Sequence, residues 1–399
     1  MKKFILLVGG ALSAINIHCQ DQDAKFIEYY NHYYHDQIMK SDDQNSKTST
    51  QFKMDANDIK HPGAPETFST AWCQDPISQG NTGTCWCFST TSFFEAEIFR
   101  LSEQKIDLSE LYILYHEYTE KAREFVKSRG TSTFGEGSET NAVMRMMKKY
   151  GTVPQNAYLG KPKNNHHHNH ASMFDEMNNF LQGIKSSNDW NEEHVVSTIK
   201  SILNHHIGTP PTSFDYEGIE YTPLEFMNKI CKLNPDSYVE FMSLKEKPYN
   251  TKAEYDVPDN WWNSEEYHNL KLDDFMKVIN NAVEKGYTIS IGGDVSESGF
   301  LPMNDIAYVP EFDIPHKFIN EDARQLRFSN GSTTDDHAIH LIGYKDTKEG
   351  RWYLVKDSGS SARNGNYEGF MMYHESYIKL KIMTFTVHKD AAGDILNKF

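Results

Sequence analysis

Apolar residues fall at helical spacing in the first half of the chain and in short strand-like runs toward its end. From Cys85 to about Leu101 the spacing of Phe88, Phe94, Ile98 and Leu101 predicts a helix. "DLSELYILYHEYTEKAREF" predicts a second, with Asp107 and Ser109 as capping candidates. "FGEGSETNAVMRMMKKYGTVP" reads as a Gly-containing turn and a Met-rich helix, stopped by Gly151 and Pro154. Between about Gln155 and Asn330 the pattern is mixed. There "HVVSTIKSILNHHIG" and "KLDDFMKVINNAVEKG" read as helices and "YTISIGGDV" as a buried strand. Near the C-terminus "DHAIHLIGYKD", "RWYLVKDSG", "EGFMMYHESYI" and "KLKIMTFTVHK" read as strands separated by turn residues. A helical first half and a strand-rich end predict an α+β protein with a cleft between unlike lobes.

Composition narrows the function. The 399 residues carry 40 basic and 56 acidic side chains, a formal charge of -16. That balance disfavours nucleic acid and anionic lipid surfaces as partners. The start, "MKKFILLVGGALSAINIHCQ", pairs two lysines with an apolar run too short for a membrane span, the form of a secretory signal peptide. Export to a bacterial periplasm or the exterior is therefore expected. Lipid attachment at Cys19 is disfavoured by the bulky His18 before it. Residues 20 to about 70 are polar and read as a lightly ordered arm. Cys73, Cys85, Cys87 and Cys231 are too few for a disulfide scaffold, although a Cys73–Cys231 pair stays open.

The candidate chemistry begins at "SQGNTGTCWCFS", which sets Cys85 at the mouth of a helix. A thiol there feels the positive end of the helix dipole, which favours the nucleophilic thiolate. Nucleophilic catalysis also needs an imidazole, a group to orient it, and donors for an oxyanion. His337 opens an apolar strand, Asp357 ends the next one, and Gln79 lies six residues before Cys85. Gln79 and the Cys85 backbone N–H are the expected oxyanion donors.

These segments carry a resemblance. "QGNTGTCWCFS" is similar to the nucleophile signature of papain-like cysteine peptidases, and "DHAIHLIGY" and "WYLVKDSG" resemble their histidine and third-residue segments. His337 lies 337 − 85 = 252 residues after Cys85. The papain spacing is ~130–150 residues, so on the order of a hundred residues are inserted. Such an insertion resembles the bleomycin hydrolase (aminopeptidase C) branch, as do "LSELYILYHEYTEKA", "MMKKYGTVP", "YTPLEFMNKI" and "AVEKGYTISIGGDV". The resemblance implies a two-lobed α+β peptidase domain over 71–399, with 155–330 as a mainly helical inserted subdomain, behind a 1–19 signal peptide and a 20–70 arm. It implies Cys85, His337 and Asp357 as catalytic residues, with neither metal nor cofactor, acting on peptides. Removal of N-terminal residues is the expected activity. Endopeptidase action and an inactive peptide-binding role stay open, as does homo-oligomerisation.

Three features depart from the branch pattern. Asp357 stands where Asn is usual. Gly359 stands where Trp would cover the His337 hydrogen bond, which exposes that bond to water. The chain ends soon after "FTVHKDAAGDILNKF", so whether the Phe399 carboxylate reaches the cleft is open; an insertion loop or the N-terminal arm are the alternative blocks. Bland readings apply elsewhere. Cys87 is about 200° round the helix from Cys85 and reads as packing. His340 reads as a core histidine, the Met cluster as core, and His166 to His170 as an exposed loop rather than a metal site.

Overall fold

The computed structural model describes residues 24–40, 48–160 and 167–399. The signal-peptide reading, Cys19 and His166 lie outside the described residues.

Helix α1 (Cys85–Ser102) is buried on all sides from Trp86 to Ile98. Such a helix forms the centre of a lobe rather than its surface. Around it pack α2 (Glu110–Lys127), α3 (Thr140–Tyr150), α4 (Ala171–Ser187) and α5 (Glu192–Ile207). Their ends follow local rules. Ser109 caps α2 by accepting the Tyr112 N–H. Gly151, at φ +79°, closes α3, whose Met144, Met146 and Met147 are buried.

The second lobe is one large mixed sheet. Its central strand, His337–Thr347, pairs antiparallel with Gly350–Lys356 on one side and Ile289–Gly293 on the other, with His337 opposite Gly293. Beyond Ile289–Gly293 come Ile382–His388, Tyr238–Met242, Tyr267–Asn269 and Thr251–Ala253. Phe370–His374 flanks Gly350–Lys356 on the other side.

The segment 155–330 is less separate than the expected subdomain. It supplies α4 and α5 to the helical lobe, but it also threads Tyr238–Met242 and Ile289–Gly293 into the sheet. Both strands are buried along their whole length, so they show no alternating pattern. "EGFMMYHESYI" also divides: its first half is strand, and Glu375–Lys381 is a helix capped by His374, whose side chain accepts the Ser376 N–H.

The arm has more structure than its composition suggested. β1 (Ala24–Tyr29) and β2 (Ser49–Met54) form an antiparallel pair, with one π-helical turn at Tyr33–Ile38 between them. Cys73 and Cys231 are free thiols that pack in different cores, so the pairing left open by sequence does not form. Among the described residues, no helix is long and apolar enough to cross a membrane.

Candidate active site

The two lobes meet where α1 lies against the central strand. Small hydroxyl residues on α1 permit that approach and then bond across it. Ser89 and Thr90 reach Ser290 at 3.2 and 3.0 Å, and Ser92 reaches His340 Nδ1 at 2.8 Å. His340 is three residues along the strand from His337, and Ser92 is two helical turns from Cys85. These buried bonds fix the register of helix on strand, and therefore of thiol on imidazole.

At the end of that contact, His337 sits between the Asp357 carboxylate, to which it is hydrogen-bonded, and the Cys85 thiol, which acts electrostatically on the ring. His337 Nε2 meets Asp357 Oδ1 at 2.8 Å. Burial opposes a charge on the ring, but the charge and hydrogen bond of Asp357, together with the neighbouring Cys85, outweigh it and raise His337 well above its ordinary pKa. For Asp357, burial pushes upward, and the His337 charge with the His337 and Gly359 hydrogen bonds brings it below the usual carboxylate range.

Water does not reach this bond, although Gly359 replaces the expected Trp: Asp357 is 1% exposed. The turn itself supplies the protection. The Gly359 N–H donates to Asp357 Oδ1 at 2.7 Å, and the Asp357 N–H is held by the Gly369 carbonyl at 2.8 Å.

Gln79 lines the same cleft, about 330 Å³ in volume, together with Gly83, Glu136, His337 and Gly359. Its Oε1 accepts from the Ser358 hydroxyl at 2.7 Å, and its Nε2 donates to the Thr82 carbonyl at 2.7 Å. One of the two amide hydrogens stays available to an oxyanion. Cys85 is the first residue of α1, where backbone N–H groups have no intrahelical acceptor.

Several wall residues carried no sequence signal. Glu136 accepts the Gly83 N–H at 2.5 Å, and its carbonyl takes the Trp86 indole N–H at 3.0 Å. The histidine-rich stretch forms part of the wall: Asn81 N–H donates to the His168 carbonyl at 2.8 Å, and His170 N–H to Asn81 O at 3.2 Å. Gly80, at φ +72°, is required there, since a Cβ would lie 2.2 Å from that carbonyl. His170 is buried, and burial pushes its ring down to about 3. Among the described residues, no cluster is suited to a metal ion.

The arm crosses the cleft. Asn31 Nδ2 donates to Ser360 Oγ at 3.0 Å on one wall, and the Tyr34 hydroxyl donates to Asn81 Oδ1 at 2.9 Å on the other. Cys87 and His340 are core residues, as their positions implied. Phe399 is remote: its ring packs edge-on to His268, on the strand four places from His337–Thr347. At ~4.8 Å per strand that is roughly 19 Å along the sheet.

The Peptidase C1-like family model matches residues 20–398. Aminopeptidase C of Listeria monocytogenes is 22% identical over 344 residues, 75% of this chain and 78% of the relative. Aminopeptidase C of Streptococcus thermophilus is 22% identical over 377 residues, 81% and 82%. Mitochondrial cysteine proteinase 1 of Saccharomyces cerevisiae is 19% identical over 354 residues, 75% and 72%. Among solved structures, PepW of Lactobacillus rhamnosis HN001 shares the fold, with a TM-score of 0.68 at 19% identity over 84% of both chains. With a papain-like arrangement of helix, strand and cleft, and a family match over nearly its whole length, the chain belongs to the Peptidase C1-like family.

Proposed function

We propose that the protein is an exported aminopeptidase that hydrolyses peptide bonds through a Cys85 thioester. The observation that carries the reading is the His337 ring, held at 2.8 Å by a buried Asp357 and within electrostatic reach of Cys85. In the proposed cycle the Cys85 thiolate attacks the scissile carbonyl carbon, and the oxyanion takes bonds from Gln79 Nε2 and the Cys85 N–H. The C–N bond breaks as the His337 imidazolium protonates the departing amine, leaving the thioester. Water then attacks with His337 as base, and the C–S bond breaks to release the acid and restore the thiolate. Asp357 holds the ring and stabilises its charged form.

Exopeptidase action is supported by the arm, whose bridges at Asn31–Ser360 and Tyr34–Asn81 restrict the cleft for a polypeptide running through it. It is also supported by the names of the two bacterial relatives, aminopeptidase C. Export rests on Lys2, Lys3 and the apolar run after them. The test is hydrolysis of one peptide with a free and an acetylated N-terminus. The free peptide should be cleaved at least tenfold faster in kcat/KM. Equal cleavage would make the protein an endopeptidase.

A further inference from the structure

The cleft that holds Gln79 and His337 continues into a second, larger cavity of about 750 Å³. Val295 and Ser361 line both. Val295 follows Gly293, the strand partner of His337, by two residues, and Ser361 follows Asp357 by four. The larger cavity therefore leaves the cleft on the side of the His337–Asp357 pair. In the proposed cycle the departing amine receives its proton on that side, which directs the leaving peptide toward this cavity.

The N-terminal arm forms one wall of it. Tyr29 ends β1, Gln51 to Lys53 belong to β2, and residues of the 295–302 segment stand opposite. The arm is tied to that segment by the Met54 N–H, which donates to the Ser298 carbonyl at 3.1 Å. Lys53 is 9% exposed, and its ammonium donates to the carbonyls of Glu297 at 2.8 Å and Phe300 at 3.0 Å. An ammonium has three N–H donors, so one is left over.

Lys53 also lacks the close counter-charge that a buried cation normally has. The charge that acts on it is Glu297, whose carboxylate is bonded to Lys381. Lys381 is itself 2% exposed, so two buried cations share one carboxylate. The other acids that act on Glu297 are held elsewhere: Asp294 by the Ser296 and Thr334 N–H groups, and Asp313 by Arg327. Burial lowers Lys53 to about 8, and Glu297 opposes this only in part. The anion that a peptide brings to such a place is its terminal carboxylate. From Val295 to Glu297 is two residue steps, at most about 7 Å, and a leaving peptide of two residues spans the same distance.

We propose that Lys53 is a specificity residue that receives the C-terminal carboxylate of short substrates, those with two or three residues beyond the scissile bond. The inference rests on peptide hydrolysis at Cys85, and the experiment separates it from the aminopeptidase reading. Full-length wild type and Lys53→Met are assayed on peptides of leucine followed by one to five glycines, each as the free acid and as the C-terminal amide, with products identified by mass spectrometry. Cys85 alkylation by iodoacetamide shows that each protein keeps its reactive thiol. Wild type should release leucine and favour the acid over the amide at least tenfold in kcat/KM, mainly through KM, when two or three glycines follow. Lys53→Met should lose that preference. If leucine is released with no acid preference at any length, or if folded Lys53→Met keeps the preference, the subsite is refuted and the aminopeptidase reading stands. If diglycine leaves the C-terminus of every acid and this depends on Lys53, the subsite stands and the aminopeptidase reading falls. Failure of wild type to cleave any of these peptides overturns both. Should Lys53→Met fail to fold, the wild-type series decides: an acid preference that peaks at two or three glycines supports the subsite, and one that is equal at every length overturns it.

Discussion

Asp357→Asn removes a negative charge from the far end of the His337 hydrogen bond while keeping an acceptor in place. Asp357 Oδ1 takes the His337 bond at 2.8 Å and the Gly359 N–H at 2.7 Å, and Oδ2 has no partner. An Asn carbonyl can therefore replace Oδ1 with both bonds intact. What is lost is charge assistance. A hydrogen bond to a charged group contributes ~1.5–3 kcal/mol and a neutral one ~0.5–1.5, so the imidazolium loses roughly 1–1.5 kcal/mol. At about 1.36 kcal/mol per unit, the His337 pKa falls by about one unit. Its folded value is raised by Asp357 and Cys85 against burial, so the charged ring is present below that value and lost as pH rises through it. The pH dependence of kcat/KM for a fluorogenic amino-acid amide should keep its acid limb, and its alkaline limb should move about one unit lower. An unmoved alkaline limb, or one moved upward, would show that the Asp357 charge does not hold the ring protonated.

Three further outcomes follow from the packing. Ser92→Ala cuts the bond to His340, whose Nε2 already lacks a partner; urea unfolding should show a loss of about 1–3 kcal/mol, with a lower kcat because α1 loses its register on the strand. Gly80→Ala places a Cβ 2.2 Å from the His168 carbonyl at φ +72°, so the variant should unfold at markedly lower urea or fail to accumulate. Glu240 is raised by burial to about 8, so the folded chain holds a proton that the unfolded chain releases. Its share of stability is full below the ordinary carboxylate range and is lost as pH rises toward 8. The urea midpoint should therefore fall between pH 5 and 8, and fall less in Glu240→Gln.

The parts of the site that depend on short-range pattern were legible. Cys85 at a helix mouth, Gln79 before it, and His337 and Asp357 at strand ends each follow from a few neighbouring residues, and the structure brings them together. What depends on distant pairing was not. Ser92 and His340 are 340 − 92 = 248 residues apart, and only the packing of α1 on the sheet joins them. Asn31 and Tyr34 lie in a polar arm with no periodicity, and their cleft contacts are single hydrogen bonds across 329 and 47 residues. The protection of Asp357 was missed for another reason. It comes from backbone geometry around Gly359 and Gly369 rather than from a side chain whose identity can be read.

The central claim is that Cys85 is the nucleophile, and active-site titration tests it most directly. Full-length protein is treated with limiting iodoacetamide at neutral pH, the modified cysteine is identified by mass spectrometry, and residual hydrolysis is plotted against label incorporated. Cys87 and Cys231 are buried, and burial raises both thiols; Cys73 is raised to about 11, also chiefly by burial. Label should therefore enter Cys85 first, and activity should reach zero at one label per active site. Hydrolysis that survives full modification of Cys85 would contradict the account.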